Sequence, residues 1–183
     1  VAARAGAEDA AIVLPVLPKV RFEPPRGPAA GSDEDTPEAR IGQAMHRLLE
    51  WAALDAQDWS PAQVQRATTE FGLDAAQARQ ALALARRILQ GEGAWAWSGA
   101  EVDWQGNEVP VSVAGSVRRI DRLVRRRDGS WWVLDYKSAA RPQQQDELLA
   151  QLRGYRAAVQ AASPGETVRA AFLSASGRLE EIE

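Results

Sequence analysis

The segment Ser130-Trp-Trp-Val-Leu-Asp135-Tyr-Lys137-Ser138 sets a carboxylate and an ammonium two residues apart in an apolar run. On a strand such residues share a face, about 6.5–7 Å apart at Cα, with Trp132, Leu134 and Tyr136 on the opposite face. Taken alone, this is either an edge ion pair or half of a reactive site. Upstream, Arg119-Ile-Asp121-Arg-Leu123 leads into the same strand through the turn signal Asp128-Gly129. A hairpin closed there lets Asp121 face Asp135. Two neighbouring carboxylates repel unless one is protonated or a cation lies between them. Magnesium suits that place: it takes oxygen ligands, keeps several waters and is commonly held by one or two carboxylates plus a substrate phosphate. Lys137 then offers a compact ammonium that can approach a phosphate oxygen or a nearby water, a task arginine fills poorly.

The rest of the composition makes that lysine conspicuous. The 22 basic residues are arginines apart from Lys19 and Lys137, and the chain has one histidine, His46. The 183 residues, 45% of them apolar, suffice for one core with modest appendages and are too few for a motor protein. The absence of cysteine removes disulfides, thiolate metal sites and cysteine nucleophiles, and is compatible with a reducing, cytoplasmic location. No apolar run reaches the roughly 18–20 residues that span a bilayer, so a soluble protein without a membrane partner is expected. With a net charge of −3, nucleic-acid binding would need a local basic patch. Arg118, Arg119, Arg122, Arg125, Arg126 and Arg127 provide one candidate, read either as a solvated hairpin or as phosphate contacts.

The elements that must position these groups are legible in outline. Residues 1–35 read as a linker or N-terminal extension, rich in Pro, Gly and acid toward their end. Thr36-Pro37 opens a helix with Ile41, Ala44, Met45 and Leu48 on one face. Ser60-Pro61 opens a second, and Asp74 caps a third that stops near Gly91. From Ala100 to Lys137 three or four antiparallel strands are expected, with turns at Gln105-Gly-Asn107 and Asp128-Gly129. A helix from about Asp146 to Ser163 and a last strand, Val168–Ser174, complete an α/β fold: a mixed central sheet flanked by helices, with additional N-terminal helices. The tryptophans are read as packing groups, with base stacking as the alternative, and Glu108 as an exposed strand residue or, alternatively, an acid at or behind the metal site.

Asp121 followed by Asp135-Tyr-Lys137 at a hairpin's distance resembles the core motif of the PD-(D/E)xK nuclease superfamily. Gly42-Gln-Ala-Met-His46 resembles the Gly-xxx-His helix in the C-terminal nuclease domain of bacterial RecB/AddA-type helicase-nucleases. Asn107-Glu-Val-Pro110, Gly115, Arg-Ile-Asp-Arg-Leu, Asp-Tyr-Lys-Ser and Gln151-Leu-Arg-Gly-Tyr155 follow in that family's order, so the resemblance covers about residues 37–175. Leu148 departs from it where the family often has tyrosine.

The resemblance implies a restriction-endonuclease-like domain over 36–183. His46, Asp121, Asp135 and the Tyr136 carbonyl would be ligands of Mg2+, or Mn2+. Asp121, Asp135 and Lys137 would be catalytic, and Gln151, Tyr155, Arg119 and Arg122 would support the site or contact DNA. It also implies an exodeoxyribonuclease acting in DNA repair and recombination. Its partners would be helicase domains and a second helicase-nuclease subunit, and ATP would enter only through a helicase region absent from this sequence, which has no Gly-xxxx-Gly-Lys-[Ser/Thr] loop. A catalytically inactive module that binds DNA or docks a helicase is the competing expectation, and a free-standing nuclease the third.

Overall fold

In the computed structural model, residues 36–139 and 141–183 are described; Lys19 and the segment read as a linker lie outside them. Helix α1 (Pro37–Glu50) starts on Thr36, whose side chain accepts the Ala39 N–H. α2 (Pro61–Glu70) and α3 (Ala75–Leu89) both begin with capping boxes, Ser60 with Gln63 and Asp74 with Gln77. In each, a side-chain oxygen satisfies an orphan N–H of the first turn, so the starts are set locally.

Three strands follow: β1 (Val102–Val113), β2 (Ser116–Arg126) and β3 (Trp131–Lys137). Then come α4 (Asp146–Ala162), β4 (Val168–Ser174) and β5 (Leu179–Ile182). The sheet order is β1-β2-β3-β4-β5, antiparallel except for the parallel β3–β4 pair that α4 connects. β3 and β4 are buried on both faces, as expected for strands covered by helices on each side. Trp132, Leu134 and Tyr136 pack with α1 and α3, while Val133, Ala170 and Phe172 pack with Leu152, Tyr155 and Val159 of α4.

Two sequence expectations are corrected. Gln105-Gly-Asn107 does not turn the chain but runs inside β1, where the same chemistry serves a distortion: Glu108 takes φ 50°, and the Asn107 amide donates to the Glu50 carbonyl. The reversal falls at Ala114 and Gly115, both at positive φ. The last strand is β5, pinned to β4 partly by a bidentate ion pair between Arg169 and Glu181.

Gly91 lies just past α3 without the left-handed conformation of a helix stop; what it supplies is space. A β-carbon there would stand 2.6 Å from the Arg87 carbonyl oxygen and closer still to that of Gly177 in the β4–β5 turn. The Glu92 N–H donates to the same Gly177 carbonyl at 2.8 Å. Gly91→Ala is therefore expected to destabilise the protein by about 1–3 kcal/mol through overpacking. An unchanged midpoint in thermal or urea unfolding would refute that close approach.

Candidate active site

The β2–β3 ladder ends at Arg122 opposite Leu134, and the next step places Asp121 beside Asp135. There the strands part, and the Tyr136 N–H donates to Asp121 Oδ2 at 2.7 Å. The carboxylate thus replaces a ladder acceptor and is fixed by the backbone of the strand that carries the other acid. Lys137 Nζ lies 2.5 Å from Asp135 Oδ2, as period-two geometry requires of an i, i+2 pair on one face. From α1, His46 Nδ1 approaches Asp121 Oδ2 to 3.6 Å. The His46 ring packs edge-on against Tyr136, which stacks on Trp97. His46, Asp121, Asp135, Tyr136 and Lys137 therefore meet at the C-terminal end of β3.

Arg122 holds this end of the sheet together from inside. It is fully buried, its guanidinium lies over Trp97, and it donates to the Ala96 carbonyl, Asn107 Oδ1 and Gln105 Oε1. Asn107 in turn holds the last carbonyl of α1, so Arg122 is linked through one side chain to the helix that carries His46. Of the two roles expected for this arginine, support of the site and contact with DNA, its burial between Ile120 and Val124 favours support.

The arginine run divides by position. Arg125 pairs with Asp103 and Glu166, Arg126 with Glu101, and Arg127 donates to the Gly99 carbonyl, all toward the far end of the hairpin. Arg119 stands near the acids, 69% exposed, with its closest carboxylate, Glu108, at 3.6 Å. Gln151 donates to the Tyr155 hydroxyl at 2.6 Å, and Tyr155 is buried against the sheet. Leu148, at the position where the resembling family often has tyrosine, packs on the same cluster.

Burial pushes the Asp121 carboxyl up to about 6, against the pull of the Tyr136 N–H and Lys137. Asp135 is also pushed up to about 6, by burial and then by the Asp121 charge, with Lys137 opposing. Burial, then Lys137, lowers the His46 pKa, which favours the neutral imidazole. Two acids thus share one ammonium in a poorly solvated corner. Among the described residues no three His, Cys, Asp or Glu side chains form a cage, and Lys137 and the Tyr136 N–H each hold a carboxylate oxygen. The donor chemistry nevertheless fits a hard divalent cation: two carboxylates with surplus negative charge, a neutral imidazole and a nearby carbonyl.

A cleft of about 470 Å³ opens beside these groups, lined by Gly42, Gln43, His46, Phe71, Glu108 and Arg119 among others. Glu108, read from sequence as an exposed strand residue, faces this cleft and adds to the negative field at Asp121. The pairs Asn107–Arg122 and Val109–Ile120 bracket Glu108 and Asp121 in the β1–β2 register, and that bracketing is the signal for its place beside the acids.

A mixed five-stranded sheet between helices, with one acid and then an Asp-x-Lys pair at the parted ends of adjacent strands, is the architecture of a restriction-endonuclease-like fold. The model of the PD-(D/E)XK nuclease superfamily matches residues 21–181, and the chain belongs to that superfamily. Its members are generally nucleases and typically use divalent metals such as Mg2+. No curated protein matches the chain. Among the described residues no helix is long and apolar enough to cross a membrane.

Proposed function

We propose that the chain is a magnesium-dependent DNA nuclease domain that hydrolyses phosphodiester bonds, and that it serves as the exonuclease of a RecB/AddA-type helicase-nuclease in double-strand-break repair and recombination. The observation that carries the nuclease reading is the meeting of Asp121, Asp135 and Lys137 where β2 and β3 part, with His46 brought over them by α1. The ordered Gly42-xxx-His46 and Gln151-xxx-Tyr155 motifs support the helicase-nuclease assignment.

In this reading Asp121, Asp135, His46 and the Tyr136 carbonyl would hold Mg2+, or Mn2+. When bound, the ion supplies positive charge that polarises the scissile phosphate and acidifies a water. Asp135 and Lys137 orient that water, whose proton passes to solvent, and Lys137 donates a hydrogen bond to the water or to a phosphate oxygen. Asp121, anchored by the Tyr136 N–H, keeps its carboxylate aimed at the same point. The water oxygen bonds to phosphorus as the in-line bond to the departing strand oxygen breaks, that oxygen takes a proton from solvent, and no covalent enzyme intermediate forms. Gln151 and Tyr155 brace the α4 side, and Arg119 contacts the strand's phosphates. Helicase domains and a second subunit would be the partners, and ATP use would belong to them.

The test is degradation of linear DNA by the chain in Mg2+ or Mn2+. Cutting should stop on chelation and return when the ion is restored. Metal-independent cutting would overturn the mechanism, and DNA binding without any cutting would point to an inactive module.

A further inference from the structure

The cleft beside the acids has a composition that the hydrolytic mechanism leaves unused. It lies between α1, the end of α2 and the β1–β2 pair. Its charged lining is balanced, with Arg47 and Arg119 against Glu50 and Glu108. Arg47 is already committed, at 2.5 Å from Glu50 and 3.0 Å from Glu70. Phosphate would find little net attraction inside, and two carboxylates to oppose it. A neutral planar group with hydrogen-bonding edges suits the space better. One wall is half-buried Phe71, which packs on the Ile41, Ala44 and Leu73 cluster. The floor is Gly42: a β-carbon there would meet only Ser138 Oγ, at 3.9 Å. Helix geometry therefore does not require glycine here, and the missing side chain leaves the cleft open toward the end of β3.

We propose that this cleft seats one unpaired DNA base next to the scissile phosphate, the base stacking on Phe71 over Gly42 while Arg119 holds the adjoining phosphate outside. A volume of about 470 Å³ falls in the range of small-ligand pockets and accepts a base that has left its stack. A duplex shows proteins base edges, whereas an aromatic wall engages a base face, so the seat selects single-stranded or frayed DNA. The proposal rests on the nuclease reading and adds the form of substrate to it.

The test compares two single-stranded oligodeoxynucleotides of equal length, one normal and one wholly abasic, binding to the full chain in Ca2+ to suppress cutting. Wild type should prefer the normal strand by about tenfold or more, the scale of one base stacked on an aromatic ring. Gly42→Met, which fills the floor, and Phe71→Leu, which keeps apolar packing but loses the ring, should each bring the two affinities together while leaving the abasic strand's affinity unchanged. Melting curves check that both variants fold. A wild type without preference, or a preference that survives both substitutions, overturns the seat. Magnesium-dependent cutting of the normal strand separates the two ideas: cutting without the preference removes the seat alone, whereas neither binding nor cutting removes the nuclease reading as well.

Discussion

Lys137→Ala is expected to lower magnesium-dependent DNA degradation by about a hundred- to a thousandfold, the usual loss when one charge-stabilising donor is removed from a water-poor site. Lys137 has a tightly defined place: its ammonium is 2.5 Å from Asp135 and its side chain is 20% exposed. Lys137→Arg should not restore the rate. A guanidinium is a wide planar fork, and its added length would carry charge past the point that the compact ammonium occupies. Asp135→Ala should lose at least as much, since it removes both the partner of Lys137 and one acid of the pair. Single-turnover rates on end-labelled linear DNA give the comparison, and Mn2+ titration separates lost chemistry from lost metal. With Lys137→Ala, metal binding should survive while cutting fails. Wild-type cutting by Lys137→Ala and by Asp135→Ala would remove the site from this corner of the fold.

Much of this corner was legible because its signals are local. Ser60 with Gln63, and Asp74 with Gln77, meet across one helical turn, so the starts of α2 and α3 needed no knowledge of the rest of the chain. The Asp128-Gly129 turn set the β2–β3 register, and that register alone puts Asp121 next to Asp135. What escaped depended on distant partners. Gln105-Gly-Asn107 has turn chemistry, yet its amide is used 57 residues away in sequence, on the Glu50 carbonyl. β5 is four residues long with two glutamates, and the arginine that pairs with one of them lies on another strand. Arg122 was hidden among similar neighbours: nothing in a run of arginines marks the one that turns inward, except that its i±2 neighbours, Ile120 and Val124, are apolar. Gly42 is visible in the sequence only as the first residue of the Gly-xxx-His motif, because the cleft above it is bounded by Phe71 and the β1–β2 pair, which lie far away along the chain.

Asp121→Asn should abolish cutting and at the same time make the metal-free protein more stable. Asp121 and Asp135 are 14% and 6% exposed and have one ammonium between them. Holding Asp121 ionised there is costly, as its rise from 3.8 to about 6 records. Asparagine keeps an oxygen for the Tyr136 N–H while removing the charge, and it leaves Asp135 and Lys137 as a balanced pair. The expected gain near neutral pH is about 1–3 kcal/mol, or several degrees in melting temperature. Its pH dependence has a definite sign. A carboxyl that titrates near 6 when folded and near 3.8 when unfolded destabilises the native state above pH 6, and progressively less as pH falls toward 3.8. The variant's advantage should therefore be largest above pH 6 and vanish toward pH 4. His46, whose lowered pKa acts in the opposite direction, is present in both proteins. Mg2+ should narrow the gap from the other side, because an ion that binds only the folded wild type raises its stability by mass action. Differential scanning calorimetry across this pH range, with and without Mg2+, measures each part. A variant that melts below wild type at neutral pH without metal would show that Asp121 serves the fold through its charge and is not held there at the fold's expense.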